Sequence, residues 1–147
     1  RRQRVVDLLN KELGTVAEKK IFVLGAAFKP NSDDLRDSPA LAVATKLKAL
    51  GANVFIHDPK AGENVKANYP DLNVVDNLAE GFSMANAVVL ATEWDEYKQI
   101  DPGISGTLMA QKVVVDGRNV LDVEKWRNAG WTIYALGRSV ANEVGGQ

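Results

Sequence analysis

Cysteine is absent from the 147 residues. That excludes disulfides, thiolate metal sites and a cysteine nucleophile within this chain, and it fits a reducing, cytoplasmic setting. Histidine occurs once, at position 57. No cysteine or second histidine can complete a transition-metal set, so no metal is expected and His57 reads as a packed or surface residue. An excess of either charge is also missing, with 18 basic against 19 acidic residues and a net charge of -1. Nothing in that balance favours nucleic acid or an anionic membrane as partner, so any anion site must be local. Long hydrophobic runs are missing too. The stretch from Ala85 to Ala91 is far short of the roughly 20 residues that span a bilayer, and no signal-peptide pattern opens the chain, so a soluble protein is expected.

What is present suits one ordinary domain, since 46% of the residues are hydrophobic, enough for a real core. Val6, Leu9 and Leu13 recur at helical spacing over residues 3–13, with Gly14 as a stop. Residues 20–25 form a short apolar run ending at Gly25, the first expected strand. Ser38 and Pro39 suit an N-cap and first helical position for a helix to Leu50, closed by Gly51. The unit then recurs: strand 53–57, helix 62–68, strand 73–75, helix 77–82, strand 87–91, strand 111–116, helix 122–128, strand 131–135. The strands are apolar throughout rather than alternating, which implies burial on both faces. The expected fold is therefore α/β, a Rossmann-like, doubly wound and mostly parallel sheet with helices on both faces. Residues 1–19 read as a linking helix, 20–138 as the α/β domain and 139–147 as a flexible tail.

In such sheets ligands gather beyond the carboxyl ends of the strands. The loops 25–38, 92–95, 116–119 and 137–138 should share that rim. Lys29, Arg36 and Arg118 would converge there, and arginine offers phosphate a planar fork of donors. Against this stands an equal reading in which Lys29 and Arg36 neutralise Asp33, Asp34 and Asp37, while Asp116 to Asn119 reads as a turn. The dinucleotide fingerprint G-x-G-x-x-G fails after Gly25, because positions 27 and 30 are alanine and proline, so a self-sufficient NAD site is not expected. Asp58 stands where a ribose could be held, but with Pro59 beside it a turn is the stronger reading. Trp126 and Trp131 read as core, and Trp94 is left open between core and stacking.

The run Val23-Leu-Gly-Ala-Ala-Phe-Lys-Pro-Asn-Ser-Asp-Asp-Leu-Arg-Asp-Ser-Pro39 resembles the hallmark loop of the UDP-glucose/GDP-mannose dehydrogenase family. His57-Asp-Pro59, Ala91-Thr-Glu-Trp-Asp-Glu-Tyr97, Asp116-Gly-Arg-Asn-Val120 and Gly137-Arg138 resemble that family in the same order. Ala26 and Ser32 depart from it, where leucine and threonine are common. The resemblance implies a C-terminal domain that closes over a UDP-sugar, most like that of the family's bacterial UDP-glucose members. By motif position it implies Phe28, Lys29 and Arg118 at the UDP-sugar, with N–H donors from the backbone around the first two, and Arg36 at NAD across a domain cleft. It further implies that NAD is held mainly by an N-terminal domain, and that the thiol lies in a central region outside this sequence. In the family that thiol helps oxidise the sugar's C6 alcohol to a carboxylate with two NAD. The chain would then have no catalytic residue of its own and be inactive alone, and the full-length protein a homo-oligomer. UDP-N-acetyl sugars and GDP-mannose are alternative substrates. A stand-alone nucleotide-sugar-binding regulatory module, and a purely structural α/β domain, are the competing readings.

Overall fold

The computed structural model describes residues 2–27 and 29–136. The expected tail, 139–147, lies outside them. Six strands form one sheet: β1 (Lys20–Leu24), β2 (Asn53–His57), β3 (Asn73–Val74), β4 (Ala87–Leu90), β5 (Val113–Asp116) and β6 (Thr132–Ala135). Their spatial order is β3-β2-β1-β4-β5-β6, and every pairing is parallel. This is the doubly wound α/β arrangement expected from the sequence, with the reversal of strand order between β1 and β4.

Apolar strands are explained by what covers them. Ile21, Val23, Val54, Ile56, Ala87, Val89, Val113 and Val115 face one buried cluster, together with residues of α1 (Arg2–Leu13), α2 (Pro39–Ala49) and α3 (Gly62–Asn68). Phe22, Leu24, Val88, Leu90, Val114 and Ile133 face the other. That second cluster is covered by α4 (Leu78–Phe82), α5 (Asp95–Lys98) and α7 (Val123–Asn128). Helix α1 belongs to the first cluster, where Val5, Val6 and Leu9 are buried, and the Tyr134 hydroxyl bonds to Glu12.

The helix starts follow the cap residues. Ser38 Oγ accepts from Leu41 N, Asn77 Oδ1 from Glu80 N and Asp122 Oδ1 from Lys125 N, each satisfying a donor the helix cannot. Two short helices, α5 and α6 (Pro102–Gly106), were not anticipated. Their signal was present: Asp101 accepts from Gly103 N and Ile104 N, and Pro102 takes the first position. Trp126 and Trp131 pack edge to face, with centroids 4.7 Å apart, in the core as expected. The register puts Leu24 beside His57 and Leu90, Leu90 beside Asp116, and Asp116 beside Ala135. The carboxyl ends of five strands thus lie in one row, which fixes where the connecting loops emerge.

Candidate functional site

Two buried aspartates build the rim from beneath. Asp58, at the end of β2, accepts from Ala26 N and Ala27 N with Oδ2, and from Lys60 N and Ala61 N with Oδ1. It is the turn-former the sequence suggested, and it also ties the β1 loop to the β2 loop. Asp116, at the end of β5 and fully buried, does the same locally. Its Oδ1 accepts from Arg118 N and Asn119 N, and its Oδ2 from Val120 N and Leu121 N. A carboxylate with four N–H donors is well compensated for its burial.

The crevice where strand order reverses is closed. Thr92 Oγ1 donates to Ala27 O at 2.8 Å, and Ser38 Oγ donates to Ala26 O. Gly25, at φ +100°, permits this approach, because a Cβ there would lie 2.4 Å from Thr92 Oγ1. The N–H groups of Ala26 and Ala27 are engaged from the other side by Asp58 Oδ2. His57 is packed beneath the same rim: Nδ1 lies 2.8 Å from the Tyr97 hydroxyl, which donates to His57 O. The hydroxyl has one proton, so Nδ1 carries the imidazole proton in that chain. Burial lowers the His57 pKa below its ordinary value and pushes that of Tyr97 up.

Open space lies instead on the α1 and α2 side of the strand ends. A cleft of about 470 Å³ is lined by Val5, Asp37, Ser38, Pro39, Ala40, Val43, Ala91, Gly117, Arg118 and Leu136, among others. Its floor is the ends of β4 and β5, and its wall the first turn of α2. Arg118 lines it, and its Nη2 donates to Glu93 Oε1 at 2.7 Å. Lys29 and Arg36 do not line it. Arg36, with 87% of its side chain exposed, pairs with Asp34 through Nε and Nη2. That guanidinium holds the Asp34 carboxyl down at about 2, aided by the charge of Lys29. The expected meeting of three cations thus resolves into Arg118 at the cleft, with Lys29 and Arg36 around Asp34 on the exposed loop.

Phe28 and Arg138 lie outside the described residues. Trp94 packs against the core on the α4 and α7 side, and its indole nitrogen is buried without a hydrogen-bond partner among the described residues. Sequence reading placed Thr92 and Glu93 on the rim but missed their partners, Ala27 O and Arg118, which come from other loops. Among the described residues no cluster of metal-ligating side chains occurs and no helix is long and apolar enough to cross a membrane.

Residues 22–123 match the model of the UDP-glucose/GDP-mannose dehydrogenase family, UDP binding domain. A UDP-glucose 6-dehydrogenase of Haloferax volcanii is 37% identical over 119 residues, covering 81% of this chain and 27% of that protein. One from Bacillus subtilis is 34% identical, covering 93% of this chain and 30% of that protein. Among solved structures, a UDP-glucose dehydrogenase of Pyrobaculum islandicum superposes with a TM-score of 0.74 at 34% identity, over 89% of this chain and 30% of that one. An NDP-N-acetyl-D-galactosaminuronic acid dehydrogenase of Methanosarcina mazei gives 0.80 at 28%, over 94% and 29%. The chain spans under a third of the length of these relatives.

Proposed function

The chain belongs to the UDP-glucose/GDP-mannose dehydrogenase family, as its UDP binding domain, and on that premise we propose that its cleft receives the diphosphate of a UDP-sugar through Arg118. The observation that carries this reading is Arg118 among the residues that line an open cleft, beyond the carboxyl ends of β4 and β5, where ligands of parallel sheets gather. Lys29 and Phe28 complete the substrate contacts on the neighbouring loop. Arg36, whose exposed guanidinium pairs with Asp34, is the contact to NAD. That cofactor is held mainly by an N-terminal domain, consistent with the closed β1 turn and the lack of a glycine fingerprint in this chain.

The whole protein is then a cytoplasmic, homo-oligomeric UDP-glucose 6-dehydrogenase that uses NAD, in which residues 1–19 link to a central region and 20–138 bind the nucleotide-sugar. NAD would accept hydride there. This chain positions and does not react: it has no thiol. Binding energy from a remote diphosphate can hold the sugar's C6 against groups supplied elsewhere.

Calorimetric titration of the chain with UDP, UDP-glucose and GDP-mannose tests the proposal. Uridine-selective binding is expected, weakened about tenfold or more in Arg118→Ala, the worth of a charge-assisted hydrogen bond. Equal affinity of wild type and variant, or preference for GDP-mannose, would overturn it.

A further inference from the structure

The contact between Glu93 and Arg118 is distinctive because the chain at Thr92 and at Arg118 is held while both side chains stay partly exposed. Glu93 follows Thr92, which is buried and bonded to Ala27 O. Arg118 has its N–H on Asp116 Oδ1, and Gly117 N donates to Leu90 O at 3.0 Å. A Cβ on Gly117 would already approach Leu90 O to 3.1 Å, so this segment lies flat on the end of β4. The two side chains nevertheless remain 36% and 37% exposed. Parting them needs only a rotamer change.

Their chemistry makes them a competing set. Glu93 Oε1 takes Nη2, the nitrogen common to both bidentate edges of a guanidinium. A phosphate that seats on either edge also needs Nη2, and would bring its oxygens up against the carboxylate. Like charges at such range repel, most of all with a ligand carrying more than one negative charge.

We propose that Glu93 is a latch on the nucleotide-sugar site: it holds Arg118 while the cleft is empty and yields the guanidinium to an arriving diphosphate. The proposal rests on the reading that Arg118 receives that diphosphate. Glu93 is a positioning residue that acts through Arg118, and it lowers apparent affinity by the fraction of molecules in which the latch is closed. A half-exposed pair of this kind is worth a few-fold in an equilibrium.

The test is titration of the chain with UDP in four forms: wild type, Glu93→Gln, Arg118→Ala and the double variant, at low and raised salt. Glutamine keeps the shape and an acceptor for Nη2 but removes the charge. Glu93→Gln is expected to bind UDP about fivefold tighter at low salt, and the double variant no tighter than Arg118→Ala. Salt also opens the latch, so wild-type affinity should fall less steeply with salt than that of Glu93→Gln. A merely structural role would not produce that difference in slope. Unchanged, weaker or undetectable binding by Glu93→Gln, with Arg118→Ala weaker than wild type, would overturn the latch alone. Equal binding by wild type and Arg118→Ala would overturn the underlying reading instead.

Discussion

Replacing Asp116 by asparagine changes one atom of a fully buried side chain, and its cost can be worked from the contacts. Each carboxylate oxygen accepts from two N–H groups at 2.8–2.9 Å. Asparagine offers one oxygen and one NH2, so two backbone donors lose their acceptor and face another donor. Leaving a buried donor unpaired costs about 1–3 kcal/mol, and the two surviving bonds lose their charge assistance. A loss of about 3 kcal/mol is expected, against a total stability of about 5–15 kcal/mol for a domain. In urea, with a slope of about 2 kcal/mol/M, the midpoint should fall by about 1.5 M. Asp122→Asn is the control: Asp122 takes a single N–H at an exposed helix start, asparagine caps as well, and its midpoint should stay within about 0.3 M of wild type. If Asp116→Asn also stayed within about 0.5 M at unchanged slope, the four-donor account would be refuted.

Gly81→Ala should destabilise despite alanine's better helix propensity, because its Cβ would lie 2.1 Å from Phe22 Cζ and Phe22 is wedged edge-on against Phe82. Overpacking of that kind costs about 3 kcal/mol, or about 10 °C in the thermal midpoint, and an unchanged midpoint by circular dichroism would contradict it. The pH dependence follows from His57, whose folded pKa is lowered, mainly by burial. Its contribution is complete above the unfolded value of about 6.5 and is lost as pH falls, because the unfolded chain takes up the proton first. Urea midpoints measured from pH 8 to pH 5 should therefore drop more for wild type than for His57→Gln, and parallel curves would refute the assignment.

Much of the fold was legible in local signals. Apolar strands of four or five residues, and Ser38, Asn77 and Asp122 as caps, depend only on neighbours in the chain, and the structure bears them out. The short helix α6 was missed because Gly103 and Gly106 dilute its five residues, although Asp101-Pro102 was a start signal, and α5 because four residues are too few to show a period. The pairing of Arg36 with Asp34 was foreseeable from two-residue spacing. The pairing of Arg118 with Glu93 was not, since it joins loops that only the parallel register of β4 and β5 brings side by side. The closing of the β1 crevice was equally hidden: it depends on a threonine 67 positions beyond Gly25.

Asp58, Thr92 and Ser38 clamp the β1 loop at Ala26, Ala27 and the start of α2, whereas residues 29–37 are held by exposed and half-buried bonds, some within the stretch and two from Lys60 and Asn64, which donate to Asn31 O and Asp33 O. The domain is in that sense a chassis with an interchangeable fitting. The sheet beneath should keep its register when the stretch between the clamps is exchanged for that of a relative with another sugar preference, so that the ligand contacts proposed for Lys29 and Arg36 are altered without the fold. A change at any of the three clamping side chains would instead be felt by both of the segments that it ties together.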